Sequence, residues 1–424
     1  MATQVNPPRG MRDFLPGDKA RRERILGVIR ETYTAHGFDE IETPVMEDSS
    51  RLHAGLGGDN EKLAFGVLKR GLTTDDFAAA SEALDLADLG LRFDLTVPLA
   101  RFYASHHGEL PGVFRSIQIA PVWRAERPQK GRYRQFVQCD IDIIGEAGSL
   151  AEVELLTATA DTLTALGLTT ARIRINDRRL LTSMLAVLGF PAKEHASVLI
   201  TIDKLDKIGV SGVIEELRDR VIPAEPVNAL ETFLTRPMTM EYLSFGERAI
   251  RKHLPEGVDE TAVAELAALG EALPEAVRAQ LDFDPFLVRG MGYYTGTIFE
   301  VAHPELGYSL GGGGRYDGMI GRFLGSDVPA VGMSLGFERL VDLVTLDENA
   351  VPDAAALIYD DVPAAQLAAL KSALIASGSR VRLEKRPKKL PALLDQLKAS
   401  GFTRFAIVTK DSTLESLTFK PLTS

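Results

Sequence analysis

The sequence predicts an α+β chain of several domains, with sheet-forming stretches interrupted by a mostly helical insertion and followed by a small α/β unit. Three observations predict it. From Arg134 to Ile143 apolar and polar residues alternate: Val137, Cys139, Ile141 and Ile143 share one face, and Arg134, Phe136, Gln138, Asp140 and Asp142 the other. Residues 173–283 carry successive alanine- and leucine-rich helical patterns, separated by Gly209, Pro223, Pro226, Pro237 and Pro255. After Asp347-Glu348-Asn349, strand-like and helix-like stretches alternate, the pattern of a largely parallel sheet.

Taken in order, Pro7 and Pro8 hold the opening extended. An apolar stripe of Ile25, Leu26, Val28, Ile29 and Tyr33 predicts a helix from Asp18 to His36, ended by Gly37. A strand over Phe38 to Thr43 stops at Pro44. Ala64 to Leu89 is irregular and is expected to be a loop over a cavity. Leu91 to Pro98 reads as a strand with Asp94 and Thr96 on one face, an acceptor and a hydroxyl that can hold an ammonium group; a polar strand end explains the same pair. A helix starts near Pro98 and runs to His106.

The run from Val122 to Gly145 is a hairpin with a short basic loop, Arg127 to Gly131, surrounded by Arg124, Arg127, Arg132 and Arg134. Guanidinium forks match phosphate and carboxylate oxygens. A polar strand face beside clustered arginines points to a ligand carrying both an amine and a phosphate, the plainer reading being an amphipathic hairpin with a solvated basic tip. A helix over Leu150 to Leu166 and a strand over Thr170 to Ile175 precede the insertion.

Sheet texture returns at 285–300, where Arg289, Tyr293 and Tyr294 lie in a glycine-loosened strand that lets a ligand approach the backbone. Gly311 to Gly318 reads as a flexible loop carrying Arg315 and Tyr316; it matches neither a Walker loop nor a dinucleotide fingerprint. Gly332 to Leu340 reads as strand into helix, with Arg339 at the helix start, an unfavourable place for a cation unless an anion sits there. In the last unit, strands are expected at Ala354 to Tyr359, Arg380 to Leu383 and Arg404 to Val408, and helices at Pro363 to Ser377 and Leu390 to Ser400. Lys385, Arg386, Lys388 and Lys389 form a basic patch at a strand-to-helix turn, readable as a solvated turn or as an RNA phosphate contact.

Composition bounds the function. The chain has 424 residues, 45% hydrophobic and 25% charged, with a net charge of −11, which argues against non-specific coating of nucleic acid but leaves room for local basic patches. The single cysteine, Cys139, falls on the apolar strand face as a packing thiol, and the seven histidines show no ligand-like spacing, so no metal site is expected. The opening MATQVNPPRGMRDFLPG has no apolar h-region and no 18-residue apolar run occurs, and a soluble, cytoplasmic protein with no membrane association is expected.

Together these stretches resemble a class II aminoacyl-tRNA synthetase, and within that class the histidyl-tRNA synthetase family, over nearly the whole chain. Phe38 to Pro44 resembles motif 1, Trp123-Arg124-Ala125-Glu126 through Arg134 motif 2, and Gly336-Phe337-Glu338-Arg339 motif 3. LVRGMGYYTGTIFE and GGGGRYDGM resemble the two family signatures, and GRYRQFVQCDIDIIG the stretch after motif 2. The resemblance implies an antiparallel catalytic sheet in residues 1–172 and 284–346, a helical insertion at 173–283, and an anticodon-binding domain at 352–424. It implies a homodimer built partly through motif 1, and formation of histidyl-adenylate from L-histidine and ATP, with Mg2+, before transfer of histidine to its tRNA. Asp94, Thr96 and Gln138 would hold the ammonium. Asp142 and Tyr294 would face the imidazole, with Tyr293 and Tyr316 in the same pocket. Arg124 would meet the α-phosphate and Glu126 the adenine; Arg132 and Arg339 would reach the β- and γ-phosphates, with Arg134 also at the ATP site; Arg289 would sit at the reacting carboxylate and α-phosphate. Arg124, Arg289 and Arg339 are thus the expected catalytic groups. The chain departs from the family pattern at Met291-Gly292, where Leu-Asp is usual, and after Phe419-Lys420, beyond which members continue through a further strand and helix. Two other readings of the resemblance are a ligase acting in a small-molecule pathway and a regulatory subunit of ATP phosphoribosyltransferase; the arginines at 124, 132, 289 and 339 and the C-terminal unit count against the second.

Overall fold

The computed structural model describes residues 5–53, 62–129, 131–220, 222–236, 245–289, 293–345 and 353–422. Within these, strands are β1 (Asp39–Glu40), β2 (Met46–Asp48), β3 (Phe65–Leu68), β4 (Ala87–Leu91), β5 (Phe114–Trp123), β6 (Gln135–Ile144), β7 (Arg172–Asp177), β8 (Leu281–Phe283), β9 (Thr297–Ala302), β10 (Gly311–Arg315), β11 (Ala330–Gly336), β12 (Ala354–Tyr359), β13 (Arg380–Lys385), β14 (Arg404–Val408) and β15 (Lys420–Pro421). The chain divides into two compact units, Met1–Arg12 with Val28–Val344, and Asp13–Gly27 with Thr345–Ser424.

The first unit is built on an eight-stranded sheet in the order β1-β5-β6-β11-β10-β9-β7-β8. Neighbours pair antiparallel except at the two edges, β1 with β5 and β7 with β8. The long β5–β6 hairpin follows from the period-two pattern: Cys139, Ile141 and Ile143 are fully buried on one face, and Gln138, Asp140 and Asp142 line the opposite one. The helix Leu150–Ala165 packs on β6 and β11 through residues such as Leu155 and Leu156. The helical stretch between Arg178 and Arg278 belongs to this same unit and is bracketed by β7 and β8, both strands of the large sheet.

Four expectations are corrected. Gly311 to Arg315 is a buried central strand, not a flexible loop, because the sheet needs glycine there: a Cβ at Gly311 would lie 2.5 Å from the Ser334 carbonyl oxygen, and one at Gly313 1.9 Å from that of Gly332. Ala64 to Leu89 is folded, with β3 and β4 pairing beside β2 in a three-stranded sheet and a capped helix at Thr74–Ala79 between them. The strand at 91–98 ends at Leu91; helix begins at Thr96, two residues before Pro98, since a proline is tolerated in a first turn that needs no N–H. Arg289, Tyr293 and Tyr294 lie in irregular chain before β9, not in a strand. Gly290, Met291 and Gly292, including the departure from the family pattern, fall outside the described residues.

In the second unit β12 pairs parallel with β13 and β14, and β15 runs antiparallel to β14. The sheet is covered on both faces: Ala354, Ala356 and Ile358 pack with Leu397 and Phe402, whereas Leu357 packs with Leu367, Leu370 and Leu374. Lys385, Arg386, Lys388 and Lys389 are exposed between β13 and the helix Leu390–Ala399. Among the described residues no helix is long and apolar enough to cross a membrane.

Candidate active site

A cleft of about 1130 Å³ opens on the polar face of β6, β10 and β11. Its floor is strand-built. Gln138, Asp140 and Asp142 project from β6, and β11 lies beside them with Gly336, Ser334 and Gly332 in direct register. Glycine at 332 is a steric requirement, since a Cβ would sit 1.8 Å from the Asp142 carboxylate.

Asp142 is only 4% exposed and accepts a 2.6 Å hydrogen bond from the Tyr316 hydroxyl. Burial pushes its carboxyl up to about 7, against the pull of that hydrogen bond and with a further push from the Asp94 charge. The Tyr316 and Tyr293 hydroxyls are held well above the usual tyrosine range, chiefly by burial, so both stay neutral donors. Tyr293 and Tyr294 pack with ring centroids 4.4 Å apart, and Tyr293 meets Tyr316 edge-on at 6.5 Å. Gln138 donates from Nε2 to the Ser334 hydroxyl at 2.8 Å, while its Oε1 is buried without a hydrogen-bond partner. Asp94 accepts from the Val97 amide and, with Thr96, lines the same end of the molecule's cleft.

The other wall is basic. Arg124, Arg127, Arg132, Arg289 and Arg339 all line the cleft. Arg124 follows β5 and donates to the Phe93 carbonyl at 2.9 Å. Gly131, at φ +73°, lets the hairpin tip turn between Gln129 and Arg132, and Arg132 reaches Glu126 at 3.3 Å. Arg289 lies across β10, where a Cβ at Gly312 would come within 2.2 Å of its guanidinium carbon, and pairs with Glu300 at 2.5 Å. Arg339 donates to the carbonyls of Ser309 at 2.5 Å and Gly131 at 3.3 Å. Burial, with the charges of Arg132 and Arg289, pushes its pKa below the ordinary arginine value; an anion would relieve that repulsion.

The structure therefore brings together every sequence-predicted site residue except Arg134. Its guanidinium donates to the Glu126 carbonyl and its amide to that of Gly10, so it braces the hairpin and does not line the cleft. Sequence reasoning missed Ser334, Asp203 and Glu300. Ser334 was findable from the register of β11 against β6; Asp203 comes from the helical insertion, and no local pattern signals that it lines the cleft. Among the described residues no group of three or more His, Cys, Asp or Glu side chains could hold a metal ion.

The chain can be laid over solved structures along almost its full length. A histidyl-tRNA synthetase from Nostoc sp. PCC 7120 superposes with TM-score 0.77 at 25% identity, covering 99% of this chain and 95% of that one. A Bacillus halodurans protein described as an ATP phosphoribosyltransferase regulatory subunit/histidyl-tRNA synthetase gives 0.74 at 22% identity, over 96% of this chain and all of that one, a likeness of fold alone. The sheet architecture is that of a class II aminoacyl-tRNA synthetase. The family profile described as histidyl-tRNA synthetase matches residues 10–340, and the histidine–tRNA ligase of Leifsonia xyli subsp. xyli is 61% identical over 100% of both chains. The chain belongs to the histidyl-tRNA synthetase family.

Proposed function

We propose that this chain activates L-histidine with ATP to histidyl-adenylate, releasing pyrophosphate, and passes histidine to the 3′ end of histidine tRNA. The observation that carries the reading is the cleft's polarity: arginines that repel one another at one end, and buried carboxylates with an unpaired amide oxygen at the other. A triphosphate fits the first end. An amino acid with an ammonium group and a ring N–H fits the second.

Asp94, Thr96 and the Gln138 Oε1 hold the ammonium. Asp142 accepts from the imidazole, with Tyr294 beside it and Tyr316 fixing the carboxylate. An apolar side chain there leaves a buried acceptor unpaired, a penalty of about 1–3 kcal/mol. Arg124 holds the α-phosphate and Glu126 the adenine; Arg132 and Arg339 hold the outer phosphates. The histidine carboxylate attacks the α-phosphorus and pyrophosphate leaves, while Arg289 and Arg124 stabilise the charge that gathers there. The tRNA hydroxyl then attacks the acyl carbon and AMP leaves. No side-chain nucleophile is required. Magnesium would accompany ATP and supply charge neutralisation to its phosphates. Arg134 supports the motif 2 loop.

Residues 1–172 and 284–346 form the catalytic domain, 173–283 the insertion and 352–424 the anticodon-binding domain in this reading. A cytoplasmic homodimer formed partly through the segment ending at Pro44 completes it. The test is aminoacylation of histidine tRNA by the purified chain. Charging with histidine is expected. Histidine-dependent ATP–pyrophosphate exchange without charging would assign the chain to small-molecule ligation, and no exchange at all would contradict a catalytic role.

A further inference from the structure

We propose that Asp140 and Ser334 are positioning residues for amino-acid recognition, which together decide that the oxygen and not the nitrogen of the Gln138 amide faces the substrate ammonium. The proposal rests on the reading of this cleft as a histidine site.

The two ends of a glutamine amide have nearly the same shape and opposite polarity. Only the oxygen can accept from an ammonium; the amide nitrogen would present hydrogens to a cation. Something must therefore set the flip. In this structure the setting is made by a short relay across two paired strands. Asp140 and Ser334 lie directly opposite one another in the β6–β11 ladder, and Gln138 is two residues along on the same face as Asp140. Ser334 sits opposite Asp140, whose carboxylate when ionised can only accept, and the Ser334 hydroxyl favours that charged form. The Ser334 hydroxyl oxygen accepts from the Gln138 Nε2 at 2.8 Å. The same nitrogen makes longer contacts of 3.4 and 3.5 Å to the two Asp140 oxygens. Reversing the amide would set its oxygen 3.4 and 3.5 Å from the two Asp140 carboxylate oxygens. The observed outcome is an Oε1 that is buried, without a partner, in a residue 7% exposed that lines the cleft.

Asp140 itself is 3% exposed, and its neighbour across the other ladder, Gln118, is occupied elsewhere: its Nε2 donates to the Leu95 carbonyl and its Oε1 accepts from Thr43. Burial and the charges of Asp142 and Asp94 push the Asp140 carboxyl up, whereas the Ser334 hydroxyl and Arg124 favour its charged form. An arriving ammonium adds a cation on the cleft side and favours the charged form further. The relay is thus strongest when substrate is bound.

Asp140→Asn tests the relay, because an asparagine amide can donate to Ser334, let Ser334 donate to Gln138 and so reverse the flip. In ATP–pyrophosphate exchange the variant is expected to raise KM for histidine about 10–100-fold with KM for ATP unchanged. Ser334→Ala, which removes only the hydroxyl, should raise it about 10-fold. Imidazolepropionate, which lacks the amine, should inhibit wild type and both variants with the same inhibition constant, a result that also shows the pocket to be intact. An unchanged histidine KM in both variants, or an equal loss of histidine and imidazolepropionate binding, would overturn the relay. Absence of histidine-dependent exchange in the wild-type chain would instead overturn the site reading beneath it.

Discussion

The two ends of the cleft are built differently. The carboxylate end stands on β6 and β11, where strand register fixes Gln138, Asp140 and Asp142 and glycine at 332 leaves space for the Asp142 carboxylate. The arginine end is assembled from a hairpin tip, irregular chain before β9 and a one-turn helix, with Arg124 and Arg339 donating to backbone carbonyls and Arg289 pairing with Glu300. On the proposed reading of the cleft, the difference assigns each property of the enzyme to one kind of element. Discrimination between amino acids needs fixed, desolvated acceptors, which a sheet provides. Charge stabilisation of a polyphosphate needs convergent cations, which loops can deliver with less exact geometry.

The largest effect that would break this comparison is at Arg289, the arginine that lies across the sheet itself. Arg289→Ala should lower kcat for ATP–pyrophosphate exchange by about 10²–10³-fold with modest loss of ATP binding; a variant as fast as wild type would remove it from the reacting centre. At the opposite end, Asp142→Asn should lower kcat/KM for histidine by about 10–100-fold, read from the same exchange assay.

The Asp142 variant also sharpens the comparison through stability. Because the buried carboxyl titrates near 7, above its unfolded value, the folded chain binds the extra proton, and its stability is complete below the ordinary carboxyl range and falls as pH rises toward and past 7. Asparagine removes that loss. The melting temperature of Asp142→Asn should exceed that of wild type near about pH 8 and lose that advantage near about pH 4. The smallest effect is expected at Arg134: Arg134→Ala should change KM for ATP by less than about 10-fold, since its hydrogen bonds go to the backbone of Glu126 and Gly10.

The same contrast explains what the sequence made legible. The period of two along β6 separates Cys139, Ile141 and Ile143 from Gln138 and Asp142, because alternation is a local property and the core selects it. The helix Leu150–Ala165 and the strand–helix alternation of the last unit are local in the same sense. The glycine run at 311–314 was misleading: composition favours a turn, but the residues answer to close approach by Ser334, Gly332 and Arg289, which only the assembled sheet defines. Arg134 shares the polar strand face with Gln138 by period, yet its partners come from residue 10 and the hairpin loop, so its direction was not readable from spacing. The convergence of Arg124, Arg289 and Arg339 from three distant segments was carried by likeness to the family, and no periodicity encodes it.

Separate calorimetric titrations of ATP and of histidine into Arg339→Ala and Asp142→Asn address the two-ended cleft most directly. A crossed pattern is predicted: Arg339→Ala loses ATP affinity by about 10-fold or more and keeps histidine, and Asp142→Asn does the reverse. Loss of both ligands in each variant, or of neither, would contradict the division of the site.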